Sequence, residues 1–311
     1  MGTLTNLFGI ALSITLAYAH GTVLAVDVKN NYGGCATIIS QEEVERIEQM
    51  LLDGTWDDAR MYPLNQRAGP QQVRITAHIV RYSDGSGGIP QIRIDTAISN
   101  LNVNVASTGL VFFQDGPSIF LDNDIYADCD TSESDALRQI NVVNNSLNIW
   151  FVPNFANGII SLCGQSSFPA DSIQGIVLKN SCVATTENNS SFPHEAGHYF
   201  GLLHTHDTQF GAECVDGSNC STAGDLFCDT PADPGLDTSP PDNNVDFACN
   251  YFGTVLDACG SGNLYFPQTD NFMSYSFKLC RDVFTLEQLS AFLWSAENDH
   301  ADHIVIVPVT W

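Results

Sequence analysis

Basic residues are what this chain has least of. Its 311 residues carry 11 Lys and Arg against 36 Asp and Glu, a formal net charge of −25. A chain so anionic cannot make the many phosphate contacts that nucleic acid requires, so that class of partner is excluded. The shortage is uneven: no Lys or Arg falls between Lys179 and Lys278, while 13 Asp and Glu do. Two accounts of that stretch stand. It is a salt-tolerant solvated surface, or it holds calcium and draws cationic substrates towards a cleft. Long apolar runs are also missing. Residues 7–19, an apolar run of 13, are too short to span a bilayer, so stable membrane insertion is not expected. That run ends in Ala17-Tyr18-Ala19, like a signal-peptidase site, with a second position after Ala25. Its own shortage is a positive start, because nothing basic precedes Lys29. Secretion is the reading, and ten cysteines suit the oxidising compartment it implies.

The informative stretch is residues 194–204. His194 and His198 are four apart, so one helical face presents both imidazoles to a single metal ion. Glu195 sits where a carboxylate reaches a metal-activated water without being a ligand. Gly201 can take the positive φ that ends a helix and turns the chain, which would bring His204 back to the same ion. Three neutral imidazoles leave one position of a tetrahedral zinc open, the catalytic arrangement. A chance match to these five positions is on the order of one in 10⁵ for a chain of this length. His206, two residues further on, breaks the motif spacing.

Elsewhere the periodicity predicts a mixed α/β chain. Ser40 caps a helix over 41–52 that Gly54 ends. Alternation from Gln71 reads as a half-buried strand with His78 on its solvated side. A helix around Ile92–Leu101 positions follows, then strands at 110–113 and 119–121, a helix over 134–143, and strands at 147–152 and 172–178. Ser190 or Ser191 caps the motif helix, with Pro193 in its first turn. Past His204 periodicity fades until Thr285 caps a last helix over 286–297. Six of the ten cysteines fall in that irregular stretch, which needs cross-links in place of ladders. His300 and His303 read as surface residues. The organisation expected is a leader over 1–19 or 1–25, a propeptide or mature N-terminal segment over 26–67, and one catalytic domain over 68–311.

The motif, the Met-containing turn Asn271-Phe272-Met273-Ser274-Tyr275, the Ala223-Gly224-Asp225 step and Cys228-Asp229-Thr230-Pro231 together resemble the metzincin zinc peptidases. Within them the chain most resembles the pappalysin family, in its bacterial cytophagalysin-like branch. The resemblance is firm from about Ser146 to Gln288. It implies an α/β (α+β) catalytic domain: a mixed twisted sheet and the active-site helix above, an irregular disulfide-linked half below, and a C-terminal helix closing it. It implies that the sheet's edge strand borders the cleft, where a peptide could add as a further strand. It also implies one catalytic zinc on His194, His198 and His204, Met273 as a structural floor beneath it, and Tyr275 turned towards the metal; packing is the other reading of Tyr275. Calcium is implied at Asp225, Thr230 and Asp237, though acidic loops also occur without an ion. The expected disulfides are Cys249–Cys280, Cys163–Cys182, and Cys259 with Cys214 or Cys220. Cys35 is either a thiol latch on the zinc or half of a disulfide, for instance with Cys129, and an even ten favours complete pairing. Arginine-preferring relatives carry an acid just before the cysteine matching Cys280. Leu279 stands there, so that preference is not carried over.

The chemistry expected is peptide hydrolysis by a zinc-activated water, with Glu195 as general base and no covalent nucleophile. Partners would be protein or peptide substrates, with no nucleic acid, no stable membrane insertion and a monomeric state. The alternatives are a catalytically silent zinc-bearing binding protein and a zymogen kept latent by its N-terminal segment.

Overall fold

The computed structural model describes residues 34–64, 70–238 and 243–305. The leader with its two cleavage positions lies outside them. The chain enters as a short strand β1 (Gly34–Cys35), then two helices, α1 (Gln41–Asp53) and α2 (Thr55–Arg60). The Ser40 side chain accepts from Glu43 N, and Gly54, at φ 83°, ends α1 and turns directly into α2. Next come β2 (Gln71–Arg81), α3 (Gln91–Asn104), β3 (Leu110–Gln114), β4 (Ile119–Asp122), α4 (Asp124–Ala127), β5 (Asp128–Asp130) and α5 (Thr131–Leu137). β6 (Leu147–Val152), β7 (Asn154–Asn157), β8 (Ile160–Ser166) and β9 (Ile176–Lys179) complete the upper half, followed by the motif helix α6 (Ser191–Tyr199). After about 80 residues in which the described part has no helix or regular strand, α7 (Leu286–Asn298) and β10 (Ile304–Val305) follow.

The sheet is mixed, in the order β10-β2-β6-β9-β8-β7-β5, with β3 and β4 on the free side of β2 and β1 against β8. β2 lies parallel to β3, β4 and β6, while β8 runs antiparallel to β9. β2 is thus an interior strand rather than a half-buried one. His78 is buried, stacked on Trp150 with ring centroids 4.5 Å apart and hydrogen-bonded through Nε2 to Asn148 Oδ1. Alternation alone puts it in solvent, but a second, smaller core packs on that face, so both faces of β2 are covered.

Three other expectations change. The helix expected over 134–143 is α5, which starts earlier because Asp130 and Glu133 form a capping box. It stops before Asn141, which sits at φ 57°. The strand expected from 172 begins only at Ile176. Gly175, at φ 124°, turns the chain beneath Trp150, where an added Cβ would meet the indole at 2.6 Å. The β7–β8 hairpin was not foreseen. Its signal was present, since Asn157-Gly158 is a turn pair, and Asn157 faces Ile160 across it. His300 and His303 are also buried, His300 stacked on Tyr199 at 4.4 Å.

The larger core lies between the sheet and helices α1, α3, α6 and α7, and joins Ile47, Trp56, Ile75, Phe112, Phe200 and Phe292 in one cluster. The smaller core covers the other face around Trp150, Phe155 and Val152. The N-terminal helices therefore belong to the main core. Trp56 Nε1 donates to Leu226 O, and Arg60 reaches Glu287 at the start of α7. Cys163–Cys182 ties β8 to the loop after β9, while Cys214–Cys259, Cys220–Cys228 and Cys249–Cys280 cross-link the irregular half. Cys35 and Cys129 are free thiols, so the ten cysteines are not all paired. Among the described residues no helix is long and apolar enough to cross a membrane.

Candidate metal centre and catalytic cleft

Helix α6 carries the first half of the site. Its N-terminus is held by Asn188, whose Oδ1 accepts from Ser191 N and Ser191 Oγ; Ser190 instead donates to Lys278 O. Ser190 holds the N-cap position as expected, but its side chain makes no capping bond, and Asn188, three residues before the helix, supplies the acceptor. All nine residues of α6 are buried. Gly201, at φ 88°, reverses the chain after the helix, as the motif spacing requires.

Behind that reversal the three histidines meet. His198 Nε2 lies 3.3 Å from His194 Nε2 and 3.1 Å from His204 Nε2. His194 Nδ1 is 2.6 Å from Phe272 O, and His198 Nδ1 is 2.8 Å from Leu202 O. A carbonyl can only accept, so each Nδ1 carries the proton and each Nε2 of that pair presents a lone pair. Burial, reinforced by the neighbouring imidazoles, holds His194 and His204 well below the usual histidine range, and burial pulls His198 down to about 3. Neutral imidazole lone pairs converging in a buried space repel one another unless a cation lies between them. Their donor set fits a borderline-soft divalent metal such as zinc. Among the described residues, the cluster of His194, His198, His204 and Cys35 is the one group whose ligand atoms all lie within 4.8 Å of one another.

Glu195 is 1% exposed beside this cluster. Burial pushes its carboxyl up to about 7, against hydrogen bonds from Thr37 and Cys35 that lower it. β8 passes so close that a Cβ on Gly164 would meet Glu195 Cγ at 2.6 Å. Met273 is fully buried, its sulfur against Gly197 of α6. The turn around it grips the site twice: Phe272 O accepts from His194 Nδ1, and Met273 O accepts from Thr205 N at 3.2 Å. Asn271, bonded to Gln288 of α7, anchors the turn. The Tyr275 ring is half-buried against His204 and His206, with centroids 4.6 and 4.4 Å away. His206 packs outside the converging trio, 5.1 Å from the His204 ring.

The N-terminal segment occupies the cleft. β1 pairs parallel with β8, Gly34 opposite Leu162 and Cys35 opposite Gly164. This puts Cys35 Sγ 3.5 Å from Glu195 Oε2, and Thr37 Oγ1 donates to the same oxygen at 2.9 Å. Burial, then the Glu195 charge, holds the Cys35 thiol well above its usual range. Thr37 carries no motif, and only the fold reveals it. Arg281 was missed too: it is buried in the same pocket, 3.4 Å from His194 Nδ1 through Nη1. Its only sequence signal is a base in a base-poor stretch, directly after Cys280.

Asp225 and Thr230 do come together: Asp225 Oδ1 accepts from Thr230 Oγ1 at 2.8 Å. Asp225 Oδ2 is buried with no hydrogen-bond partner, and burial holds its carboxyl well above the usual range. The neighbours that raise it further are Glu213 and Asp233. Asp237 donates its backbone N–H to Asn244 Oδ1.

Comparison with known proteins agrees with this geometry. The peptidase family model described as Pregnancy-associated plasma protein-A matches residues 130–293. The chain is 26% identical over 234 residues to an extracellular metalloprotease of Arthroderma benhamiae, covering 71% of this chain and 76% of that one. To the extracellular metalloprotease of Arthroderma gypseum it is 29% identical over 212 residues, 60% of this chain and 67% of that one. Among solved structures, a promirolysin variant of Tannerella forsythia aligns with a TM-score of 0.57 at 16% identity, covering 87% of this chain and 96% of the other. Mature mirolysin with a cleaved peptide aligns at 0.52 and 19%, over 73% and 91%. These structures share the fold. With the family model spanning more than half of the residues, the chain belongs to the pappalysin family of metzincin metalloendopeptidases.

Proposed function

We propose that this protein is a secreted zinc endopeptidase that hydrolyses peptide bonds in proteins, with Glu195 as general base. The observation that carries the reading is the convergence of three imidazole Nε2 atoms beside one buried carboxylate. Zinc on His194, His198 and His204 supplies Lewis acidity to a water and to the scissile carbonyl. The chain's own residues do the rest. Phe272 O and Leu202 O lock the tautomers of His194 and His198, so no proton competes with the metal. Glu195 takes the water proton on its carboxylate and delivers it to the leaving amine. Tyr275, packed on His204, offers a phenol O–H to the oxyanion. Met273 and Gly201 set the floor and the turn that hold the three rings in register. Relatives named extracellular metalloproteases and four disulfides support secretion. A structural calcium at Asp225 and Thr230 is supported by the orphaned Asp225 oxygen, with Glu213 and Asp233 as neighbouring charges.

Cys35 favours a second reading of the same chain, as a latent form. Its sulfur lies among the metal-binding atoms, and Thr37 takes the general base's oxygen. With residues 34–37 in place, substrate has neither the edge of β8 nor Glu195.

The test is casein cleavage by the secreted protein and its Glu195→Ala variant, before and after limited proteolysis of the N-terminal segment, with bound zinc measured in each. Activity should appear on trimming, fall at least 10²-fold in the variant and vanish with a chelator. Bound zinc with no cleavage by the trimmed native protein would sink the endopeptidase and leave a zinc-bearing binding protein.

A further inference from the structure

Most arginines of this chain are tied to carboxylates. Arg46 pairs with Glu43 and Asp299, Arg60 with Asp57 and Glu287, Arg81 with Asp122, and Arg138 with Asp135. Arg281 is placed differently. Lys278 and Arg281 line the pocket that opens beside His194 and Glu195. Arg281 is 8% exposed; Nη1 donates to Ser274 O at 3.0 Å, and Nε has no hydrogen-bond partner. Among the described residues no ion pair involves Arg281. Lys278 Nζ lies against Cys163 on the pocket wall. The carboxylate that borders the pocket is Glu195, whose Oε2 already accepts from Thr37.

A buried guanidinium with an unmet donor costs free energy, and the partner that best offsets it is a carboxylate. Among the described residues, the part of the N-terminal segment in this pocket is Gly34 and Cys35, which bring none. With the segment withdrawn, the pocket presents the Arg281 guanidinium, with Lys278 beside it, to whatever flanks the bond at the metal centre. We infer that this pocket receives the carboxylate of an Asp or Glu bordering the scissile bond, with Arg281 as the charged donor and Lys278 beside it. The inference rests on the endopeptidase reading. It is local. The net charge of −25 repels a polyanionic substrate, so the favoured target is a single acidic residue in an otherwise neutral or basic segment.

The experiment uses the zinc-loaded full chain, activated by limited proteolysis, on quenched-fluorescence peptides that differ only by Glu, Gln or Arg at each residue flanking the cleaved bond. At one of the two positions kcat/KM for Glu should exceed that for Gln by about tenfold or more, the size of one buried charge-assisted hydrogen bond. Arg there should be the poorest. Arg281→Gln should bring the Glu-to-Gln ratio towards one, and Arg281→Lys should keep part of it. Lys278→Glu, which leaves Arg281 and its bond to the Met273 turn intact, should move the preference towards Arg. A native enzyme that cuts the Gln peptide as well as the Glu peptide at both positions overturns the inference while leaving the endopeptidase standing. Cleavage of no peptide, the Gln reference included, overturns the endopeptidase reading and this inference with it.

Discussion

Glu195 has neighbours that decide what it can do. Gly164 is the clearest, because its bare Cα is what lets β8 run directly over the carboxylate. A methyl group there must displace Glu195, whose position next to the three histidines is the basis of the role proposed for it. Gly164→Ala should therefore leave zinc binding and the melting temperature near native while lowering kcat by about 10²-fold, the scale of a 1 Å misplacement of a catalytic group. Zinc content, thermal unfolding and turnover on one sample check this. Full activity in that variant would show that Glu195 can shift without consequence. Arg281 works at the same scale with a different readout, since its substitution should move selectivity between peptides.

Among the elements, the acidic loop after His204 makes its own pH dependence. Burial, then the Asp233 charge, pushes Glu213 up to about 7 from the ordinary 4.5. Burial likewise raises Asp225 and Asp233. A carboxyl with a raised pKa holds its proton more tightly in the folded chain. Its stabilising effect is complete below about pH 4.5 and is lost as pH rises through about 7. In zinc-replete, calcium-free buffer the melting temperature should thus fall between pH 5 and pH 7.5. Millimolar calcium should remove that fall if these carboxylates share an ion. An unchanged melting temperature in both buffers would mean that the loop tolerates its charge unaided. The N-terminal element is part of the fold. α1 and α2 give Ile47, Met50 and Trp56 to the main core, so a cut that frees residues 34–37 from β8 need not release the helices.

The whole molecule has two halves stabilised by different means. The upper half has the sheet and the main core, and its strands satisfy one another's backbone groups. The lower half has isolated bridges and three disulfides in their place. Cys214–Cys259 spans 45 residues and Cys249–Cys280 spans 31, loops for which a cross-link contributes about 3–4 kcal/mol each by restricting the unfolded chain. Mild reduction should expose the lower half to protease first, with cuts between residues 206 and 280 mapped by mass spectrometry while the sheet persists. Simultaneous loss of both halves would show a single cooperative unit.

What the sequence determined by itself was local. Spacing of four and then six residues put His194, His198 and His204 on a helix and its returning turn. Serine and glycine at positions 40 and 54 bounded α1, and threonine at 285 opened α7, because capping acts within one turn of chain. The resemblance of whole motifs supplied the family and the likeness of the lower half. The tertiary structure decided everything that depends on partners distant in sequence. His78 is buried because Trp150 of β6 stacks on it and a second core covers that face of the sheet, which alternation along one strand cannot reveal. Cys35 and Cys129 stay unpaired because β1 lies on β8 at the metal centre, whereas β5 is at the far end of the sheet. Thr37, Gly164 and Arg281 reached the site the same way: their distances to Glu195 and His194 are set by packing across more than 30 residues of chain, which no spacing rule encodes.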